Sequence, residues 1–382
     1  MTWHATCLGD VLTLKRGHDL PDSQRQDGEV PVVSSSGITG HHSEPKAKAP
    51  GVVTGRYGTL GEVFYIEEDY WPLNTALYVI DFKGNRPRFV AYFLESVLKN
   101  YQSDKAAVPG VNRNVLHDIK VRCPDTEVQE RIADIISVYD DLIENNRRRM
   151  TLLEEAAQQL YREWFIRLRF PGHEHTRITN GVPEGWEKRT FADACSTLED
   201  GDWIETKDQG GDDYRLLQLS NIGVNEFVET GKFRFVTEET FKRLNCRELL
   251  PGHILIARMP KPIGRAWLVT EMPWSMITAV DAAIAIANEE VADAYFLTHY
   301  LNSPAGHGHC ERRAVGATRP RIARRELAAL PLLLPPRRLQ AHFREVAEPL
   351  NQQRAVLYRQ NEKLRSARGF LLPRLMNGDM SV

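Results

Sequence analysis

The sequence predicts an α+β protein in which two duplicated domains alternate with long helices that form an antiparallel coiled coil, the halves related by a pseudo-twofold. Three observations carry this expectation. Residues 111–165 return in chemically similar form 211 positions later: Val111 answers Ile322, Arg113 answers Arg324, Ile119 answers Leu330, Pro124 answers Pro335 and Gln129 answers Gln340. In both copies a Pro-led junction opens a long helical stretch, over 125–169 and again over 336–375. Upstream of each junction, short β-like runs are broken by Gly, Pro and Asp turns and by one helix. A repeat of this size implies two similar domains, the arrangement by which proteins commonly meet a two-part target.

The elements follow in order. Strands are expected over 30–34, 51–54, 62–66 and 77–82, with a helix over 88–100. The second copy gives 216–219, 253–257, 266–269 and 282–286, with a helix over 293–301. A looser echo aligns Pro50-Gly51-Val52-Val53-Thr54-Gly55-Arg56 with Pro251-Gly252-His253-Ile254-Leu255-Ile256-Ala257-Arg258. It also sets Trp71 and Asn74-Thr75-Ala76 against Trp274 and Ile277-Thr278-Ala279. Between Phe170 and Trp186 the composition turns to Pro, Gly, His and Asn, which marks a linker. The expected boundaries are a first domain over 1–123, a helical spacer over 124–169, a linker over 170–185, a second domain over 186–335 and a second spacer over 336–382.

The first long helix carries a heptad pattern, with Ile132, Tyr139, Asn146, Leu153 and Leu160 in one row and Ile136, Ile143, Met150, Ala157 and Trp164 in the other. The second copy gives Phe343, Leu350, Leu357, Leu364 and Leu371 for the first row. Its companion row, Ala347, Arg354, Asn361, Arg368 and Leu375, is too polar for a clean seam. Pro349 is expected to split this stretch into a short helix and a longer one. An apolar stripe of this length needs an apolar partner, and its own second copy is the comparable one, so the helices should pair antiparallel. The alternative is that each packs on its neighbouring domain.

Composition sets bounds. No run approaches roughly 18 consecutive apolar residues and the start lacks a basic and apolar leader, so the expectation is a cytoplasmic protein with no membrane contact. The five cysteines, Cys7, Cys123, Cys195, Cys246 and Cys310, are scattered without a CxxC pair, against a disulfide framework or a zinc site. Soft ligands cluster only at His307-Gly308-His309-Cys310, which reads as a Gly-rich loop lacking a fourth ligand. The net charge is −2, yet Arg312, Arg313, Arg319, Arg321, Arg324 and Arg325 crowd around Gly316. From Arg337 onward nine Lys or Arg stand against four Asp or Glu, a second basic region.

With the duplicated halves and the interleaved helices in view, the chain resembles the specificity (S) subunit of type I restriction-modification systems. The motifs that carry the resemblance are Pro124-Asp125-Thr126-Glu127-Val128-Gln129-Glu130-Arg131-Ile132, Asp140-Asp141-Leu142-Ile143-Glu144-Asn145-Asn146, Leu152-Leu153-Glu154 and Leu160-Tyr161-Arg162-Glu163-Trp164-Phe165. The second copy departs from the family pattern, with Leu339-Gln340 in place of a Glu-Gln pair and Ala341-His342-Phe343 after it. The resemblance implies that each globular half is a target recognition domain reading one part of a split double-stranded DNA sequence. It further implies that the helices fix the gap and carry two methyltransferase subunits, joined by restriction/translocase subunits. About 27 helical residues from Asp140 would span about 40 Å, close to the roughly 34 Å of one B-DNA turn, so the helices would act as a ruler. No cofactor is expected in this chain; S-adenosylmethionine, ATP and Mg would be held by the partner subunits.

No catalytic signature accompanies these features. There is no GxxxxGK[ST] loop and no GxGxxG after a strand. The Gly55-Arg56-Tyr57-Gly58-Thr59-Leu60-Gly61 run leads into strand-like residues, not a helix. The one Pro-Pro, Pro335-Pro336-Arg337, lacks the neighbours of an adenine methyltransferase pocket, and neither Pro124-Asp125 nor Pro21-Asp22 with Glu29 has the lysine that nuclease chemistry needs. A non-catalytic recognition protein remains.

Base edges are read by Arg, Lys, Asn, Gln and hydroxyl side chains, and phosphates are held by cations and amides. Candidate DNA-binding residues are therefore Ser35 and Ser36 on the loop Ser34-Ser35-Ser36-Gly37, with a plain turn as the alternative; Arg56 and Tyr57, with a β-bulge as the alternative; and Asn112 and Arg113. Their counterparts are Thr318, Arg319 and Arg321 in the second copy, with Arg258 and Lys261 as a stiffer echo of the Arg56 loop. The helix aromatics Tyr161, Trp164 and Phe165 read as core or as a docking surface. Two other functions stay open: a recognition subunit of a methylation-only system, and a coiled-coil scaffold or adaptor with duplicated domains.

Overall fold

The computed structural model describes residues 3–56, 61–103 and 112–382, the side chains of 102 and 103 excepted. The first part of the chain forms β1 (Trp3–Cys7), α1 (Leu8–Val11), β2 (Thr13–Arg16), β3 (Val30–Ser34), β4 (Gly37–His42), β5 (Gly51–Gly55), β6 (Val63–Ile66), β7 (Trp71–Pro72), β8 (Ala76–Asp81), α2 (Pro87–Ser103), α3 (Arg113–His117) and β9 (Lys120–Pro124). Helix α4 (Thr126–Tyr161) follows, with a π-helical turn at Arg162–Ile166. Then come β10 (Ile178–Thr179), β11 (Val182–Pro183), β12 (Glu187–Thr190), β13 (Cys195–Asp200), β14 (Tyr214–Leu217), β15 (Phe235–Val236), α5 (Glu238–Arg243), β16 (Ile254–Ala257), β17 (Ala266–Leu268), β18 (Ser275–Thr278) and β19 (Ala282–Ala287). The chain ends in α6 (Ala294–Leu301), α7 (Pro304–Arg313), α8 (Arg324–Ala328), β20 (Pro331–Leu334) and α9 (Arg337–Asn377). The result is a mixed α+β fold.

Two compact units emerge, one from Met1–Asn146 with Arg359–Val382, the other from Arg147–Tyr358. In the first, an antiparallel sheet runs β2-β8-β5-β6, a smaller sheet runs β4-β3-β7 with β3 and β7 parallel, and β1 pairs with β9. In the second, the orders are β13-β19-β16-β17, β15-β14-β18 with β14 and β18 parallel, and β12 with β20. The inner strands β5 and β16 are paired on both sides and buried throughout, so their residues are apolar or small without the alternation of a half-wet strand. At Gly51 a Cβ would stand 2.2 Å from the Tyr70 ring, which is why glycine opens β5.

The same device fixes the start of each long helix. Gln129, 1% exposed, accepts the Arg86 N–H at 3.0 Å and donates to the Pro124 carbonyl at 2.8 Å. Gln340, fully buried, accepts the Asp293 N–H at 2.7 Å and donates to the Pro335 carbonyl at 2.7 Å. A buried carboxamide that satisfies two backbone groups at the entry to α2 or α6 and at the proline junction ties helix, sheet pair and domain together.

Within each unit the long helices run antiparallel. In the first, Ile132 and Ile136 of α4 share a core with Leu372, Leu375 and Met376 of α9, and Asn146 meets Asn361. In the second, Glu154 meets Arg354 and Tyr161 packs on Phe343. Three expectations are corrected here. The polar row Ala347, Arg354, Asn361, Arg368, Leu375 does face the partner helix: Ala347, Arg354, Asn361 and Leu375 are buried, and Arg368 bridges Asp140 and Glu95. Polarity misled because each polar member has a partner across the seam. Pro349 does not split the helix, since α9 is continuous from Arg337 to Asn377. Proline costs roughly 3 kcal/mol in a helix interior, and buried Phe343 and Ala347 before it and Asn351 and Arg354 after it hold both sides in place. The His307-Gly308-His309-Cys310 segment lies in α7, not in a loop; Ser303 caps that helix by accepting the Gly306 N–H, and Cys310 is fully buried. Among the described residues no group of three or more His, Cys, Asp or Glu is placed to hold a metal ion, and no helix is long and apolar enough to cross a membrane.

Candidate nucleic-acid interface

In the second unit the end of β13, the turn before β19 and the turn between Val315 and Arg321 bring an arginine cluster to one edge. Arg258 follows β16 and its side chain is only 4% exposed. Its guanidinium lies 2.8 Å from Asp200 Oδ1 and donates to the Val280 carbonyl. Burial draws its pKa below the usual arginine value, with Asp200 opposing. Arg321 donates to the same Val280 carbonyl at 3.2 Å and lies 3.2 Å from Asp281. Arg324, half exposed, approaches Asp200 at 3.8 Å. Leu198, Asp200, Arg258, Val315, Arg321 and Arg324 line an open cleft of about 790 Å³. Two carboxylates order the arginines, and Arg321 and Arg324, unlike Arg258, stay partly open to solvent, an arrangement suited to an anionic ligand.

The candidate residues fall into three groups. Arg321 stands at the cleft, while Thr318 and Arg319 are exposed on the turn beside it, where Gly316 takes a positive φ of 123°. Arg258 is buried beneath the cleft; the chemistry available to it is holding the turn at Val280, because a side chain 4% exposed presents little surface to a ligand. Lys261 is exposed and pairs with Glu311 at 3.4 Å. Buried Arg265 clamps the adjoining loop through the carbonyls of Pro260, Ile222 and Leu219.

In the first unit, Ser34 is buried and its hydroxyl binds the Ser36 hydroxyl at 3.0 Å and the Ser36 N–H at 3.1 Å, so a turn with Gly37 at φ 94° is built from these side chains. Ser35 is half-buried and Ser36 is exposed. Arg56 follows β5 and its N–H reaches the Thr75 carbonyl at 3.2 Å, as the Arg258 N–H reaches the Asp281 carbonyl at 3.4 Å, so the two arginines hold equivalent places in their own units. Tyr57 lies outside the described residues. Asn112 caps α3 by accepting the Asn114 N–H at 3.0 Å, and Arg113 is exposed on its first turn.

The upstream alignment needs one correction. His18 bridges Leu73 and Asp202 bridges Ala279, so the counterpart of Asn74 is Val280, three residues beyond the one inferred from the tryptophans. This alignment reveals residues that sequence reasoning passed over. Arg16, exposed at the end of β2, donates to the Asn74 carbonyl at 3.2 Å, as Arg258 and Arg321 donate to that of Val280. Arg324 is the partner of Arg113 at the 211-residue offset, a signal present in the sequence but not used.

Comparison with known proteins shows what this chain resembles. Residues 1–155 match the model of the type I restriction modification DNA specificity domain. The chain is 22% identical over 289 residues to the type I restriction enzyme MjaIX specificity subunit of Methanocaldococcus jannaschii, covering 73% of this chain and 65% of that protein. It is also 22% identical over 293 residues to the MjaVIII specificity subunit of the same organism, covering 75% and 68%. The fold is similar, with a TM-score of 0.58 and 15% identity, to the crystal structure of the type I restriction-modification system S subunit from M. genitalium, over 100% of this chain and 97% of that one. The chain is thus similar to the specificity subunits of type I restriction-modification systems, and the alignments span about two thirds of the curated relatives' length.

Proposed function

We propose that this chain is the DNA sequence-specificity subunit of a type I restriction-modification complex, non-catalytic itself, with two duplicated recognition domains related by a pseudo-twofold. The domains correspond to residues 1–123 and 186–335, each reading one half of a bipartite duplex target; the helices over 124–169 and 336–382 form an antiparallel coiled-coil spacer, and residues 170–185 link the halves. The observation that supports this reading best is the recurrence of one loop edge in each unit. Arg16 and the Arg56 backbone meet the turn at Asn74 and Thr75 in the first, as Arg258 and Arg321 meet the turn at Val280 and Asp281 in the second, and Arg113 and Arg324 each open the short helix before the junction.

The helices carry the partners in this reading. Ile135, Val138 and Leu142 form an exposed apolar stripe on α4, spaced to share one face. Such a stripe suits one of two methyltransferase subunits, which would bring S-adenosylmethionine and flip the adenine, with restriction/translocase subunits supplying ATP- and Mg-dependent cleavage. The test is binding of the partner-loaded complex to duplexes of defined sequence across a salt series. Tight binding to one split sequence, falling steeply with salt, is expected. Equal binding to all sequences, or none, would leave only a scaffold.

A further inference from the structure

The two most exposed large hydrophobic side chains among the described residues are Val315, 78% exposed, and Trp203, 70% exposed. Single exposed apolar groups are ordinary on protein surfaces, so their placement decides whether they carry meaning. Both belong to the arginine edge of the second unit. Val315 pairs with Arg321 through two backbone hydrogen bonds of 3.0 and 2.9 Å, and it lines the arginine cleft. Trp203 follows Asp202, whose carbonyl accepts the Val280 N–H at 2.9 Å; the Val280 carbonyl in turn takes both Arg258 and Arg321.

The loop that presents the indole is fixed. The Asp202 N–H binds the Thr278 carbonyl at 2.8 Å, and the Asp202 carboxylate accepts the Arg247 N–H at 3.1 Å. At Gly201 a Cβ would stand 2.4 Å from the Ala279 carbonyl oxygen, so the backbone lies directly against the turn. The indole N–H reaches Glu205 at 3.4 Å, and the rest of the ring is open. The backbone that carries this apolar ring is thus paired with the turn on which Arg258 and Arg321 converge, and Arg321 belongs to a segment, residues 312–325, that contains six arginines and no acidic residue. That charge suits a polyanion, and the ligand must also offer apolar surface within reach of its anionic groups. In duplex DNA the major groove has one such feature, the 5-methyl group of thymine.

We propose that Trp203 and Val315 are apolar base contacts of the second unit, packing on thymine methyl groups while the arginines around them hold phosphate and base edges. This rests on the reading that the second unit binds duplex DNA. The test uses the full-length chain assembled with methyltransferase subunits, and duplexes in which each thymine of the target is replaced singly by deoxyuridine, which lacks the methyl group. The wild-type complex is expected to lose about fourfold in affinity at one or two thymines of a single half-site, the share of one methyl group. Trp203→Ala and Val315→Ala should each be insensitive to at least one of these replacements, whereas Trp203→Phe keeps the penalty. Because both side chains are exposed, thermal unfolding of the variants should match wild type. A wild-type complex that selects a sequence yet shows no deoxyuridine penalty, or alanine variants that keep the full penalty, would overturn the proposal alone. A wild-type complex without sequence preference would instead remove the DNA-specificity reading on which it rests.

Discussion

Asn146 and Asn361 meet in the seam between α4 and α9, the Asn146 carboxamide donating to Asn361 Oδ1 at 2.9 Å while Asn361 donates to the Ile143 carbonyl at 3.2 Å. Asn361 is 1% exposed and Asn146 6%, so neither has water to replace a lost partner. Asn361→Ala is therefore expected to cost roughly 1–3 kcal/mol, read from denaturant unfolding. Asn146→Leu with Asn361→Leu should recover most of that loss, because both polar groups then leave together. A double variant as unstable as the sum of the singles would show that the pair is not coupled.

Glu154 and Arg354 are a second seam pair, with side chains only 12% and 9% exposed, and Arg354 also donates to the Asn225 carbonyl at 2.9 Å. Arg354→Met leaves the Glu154 carboxylate buried without its cation and is expected to destabilise the second unit by roughly 3–5 kcal/mol. Glu154→Leu combined with Arg354→Met should be close to wild type. Equal stability of the single and the double variant would deny the ion pair this role.

Acid should weaken the fold through histidines held neutral. Fully buried His299 has no hydrogen-bond partner at either ring nitrogen; Tyr161 and Phe343 flank it, and the Glu154–Arg354 pair is the charge acting on it. Burial lowers its pKa below 6.5, with Glu154 raising and Arg354 lowering it in smaller measure. Burial likewise lowers His117, whose Nε2 accepts the Leu14 N–H at 2.9 Å. A depressed folded-state pKa means that the unfolded chain takes up the proton first, so the stabilisation present above about pH 6.5 is lost as pH falls through the folded-state values. Unfolding free energies at pH 7.5 and 5.5 should differ in that direction, and His299→Leu should reduce the difference. An unchanged pH dependence in that variant would exclude His299 as a contributor.

The arginines at the loop edges should separate by effect. Arg113→Ala, Arg319→Ala, Arg321→Ala and Arg324→Ala are expected either to cost about 1–3 kcal/mol at one base position, if the side chain reads an edge, or to weaken all sequences alike and lower the salt slope by about one, if it holds phosphate. Arg56→Ala divides the same way. Arg258→Met should act through the turn at Val280 and reduce selectivity in one half-site without changing the salt slope. Unchanged binding and methylation would remove a residue from the interface.

Much of the fold was legible. β3 over Val30–Ser34 and the Gln129–Gln340 correspondence follow directly from the residues, because a short β-branched run and an exact repeat at a fixed offset are both visible in the sequence itself. The seam was harder to read, because Arg354, Asn361 and Arg368 take partners 200 or more residues away in sequence, and pattern reasoning treats an unpaired polar residue as exposed. The loop edges were legible in composition but not in detail. Nothing local in the sequence distinguishes buried Arg258 from half-exposed Arg321, and Trp203 carries no motif at all; only the pairing of Asp202 with the turn at Val280 brings it to the arginines.

The most direct measurement is long-read mapping of DNA methylation in cells that express this chain with its partner subunits, before and after residues 1–123 are exchanged for another recognition domain. The original chain should give one bipartite motif with a fixed gap, and the exchange should change one half while the other half and the gap persist. Loss or alteration of both halves, or methylation without a split motif, would contradict two domains that each read their own half of the target.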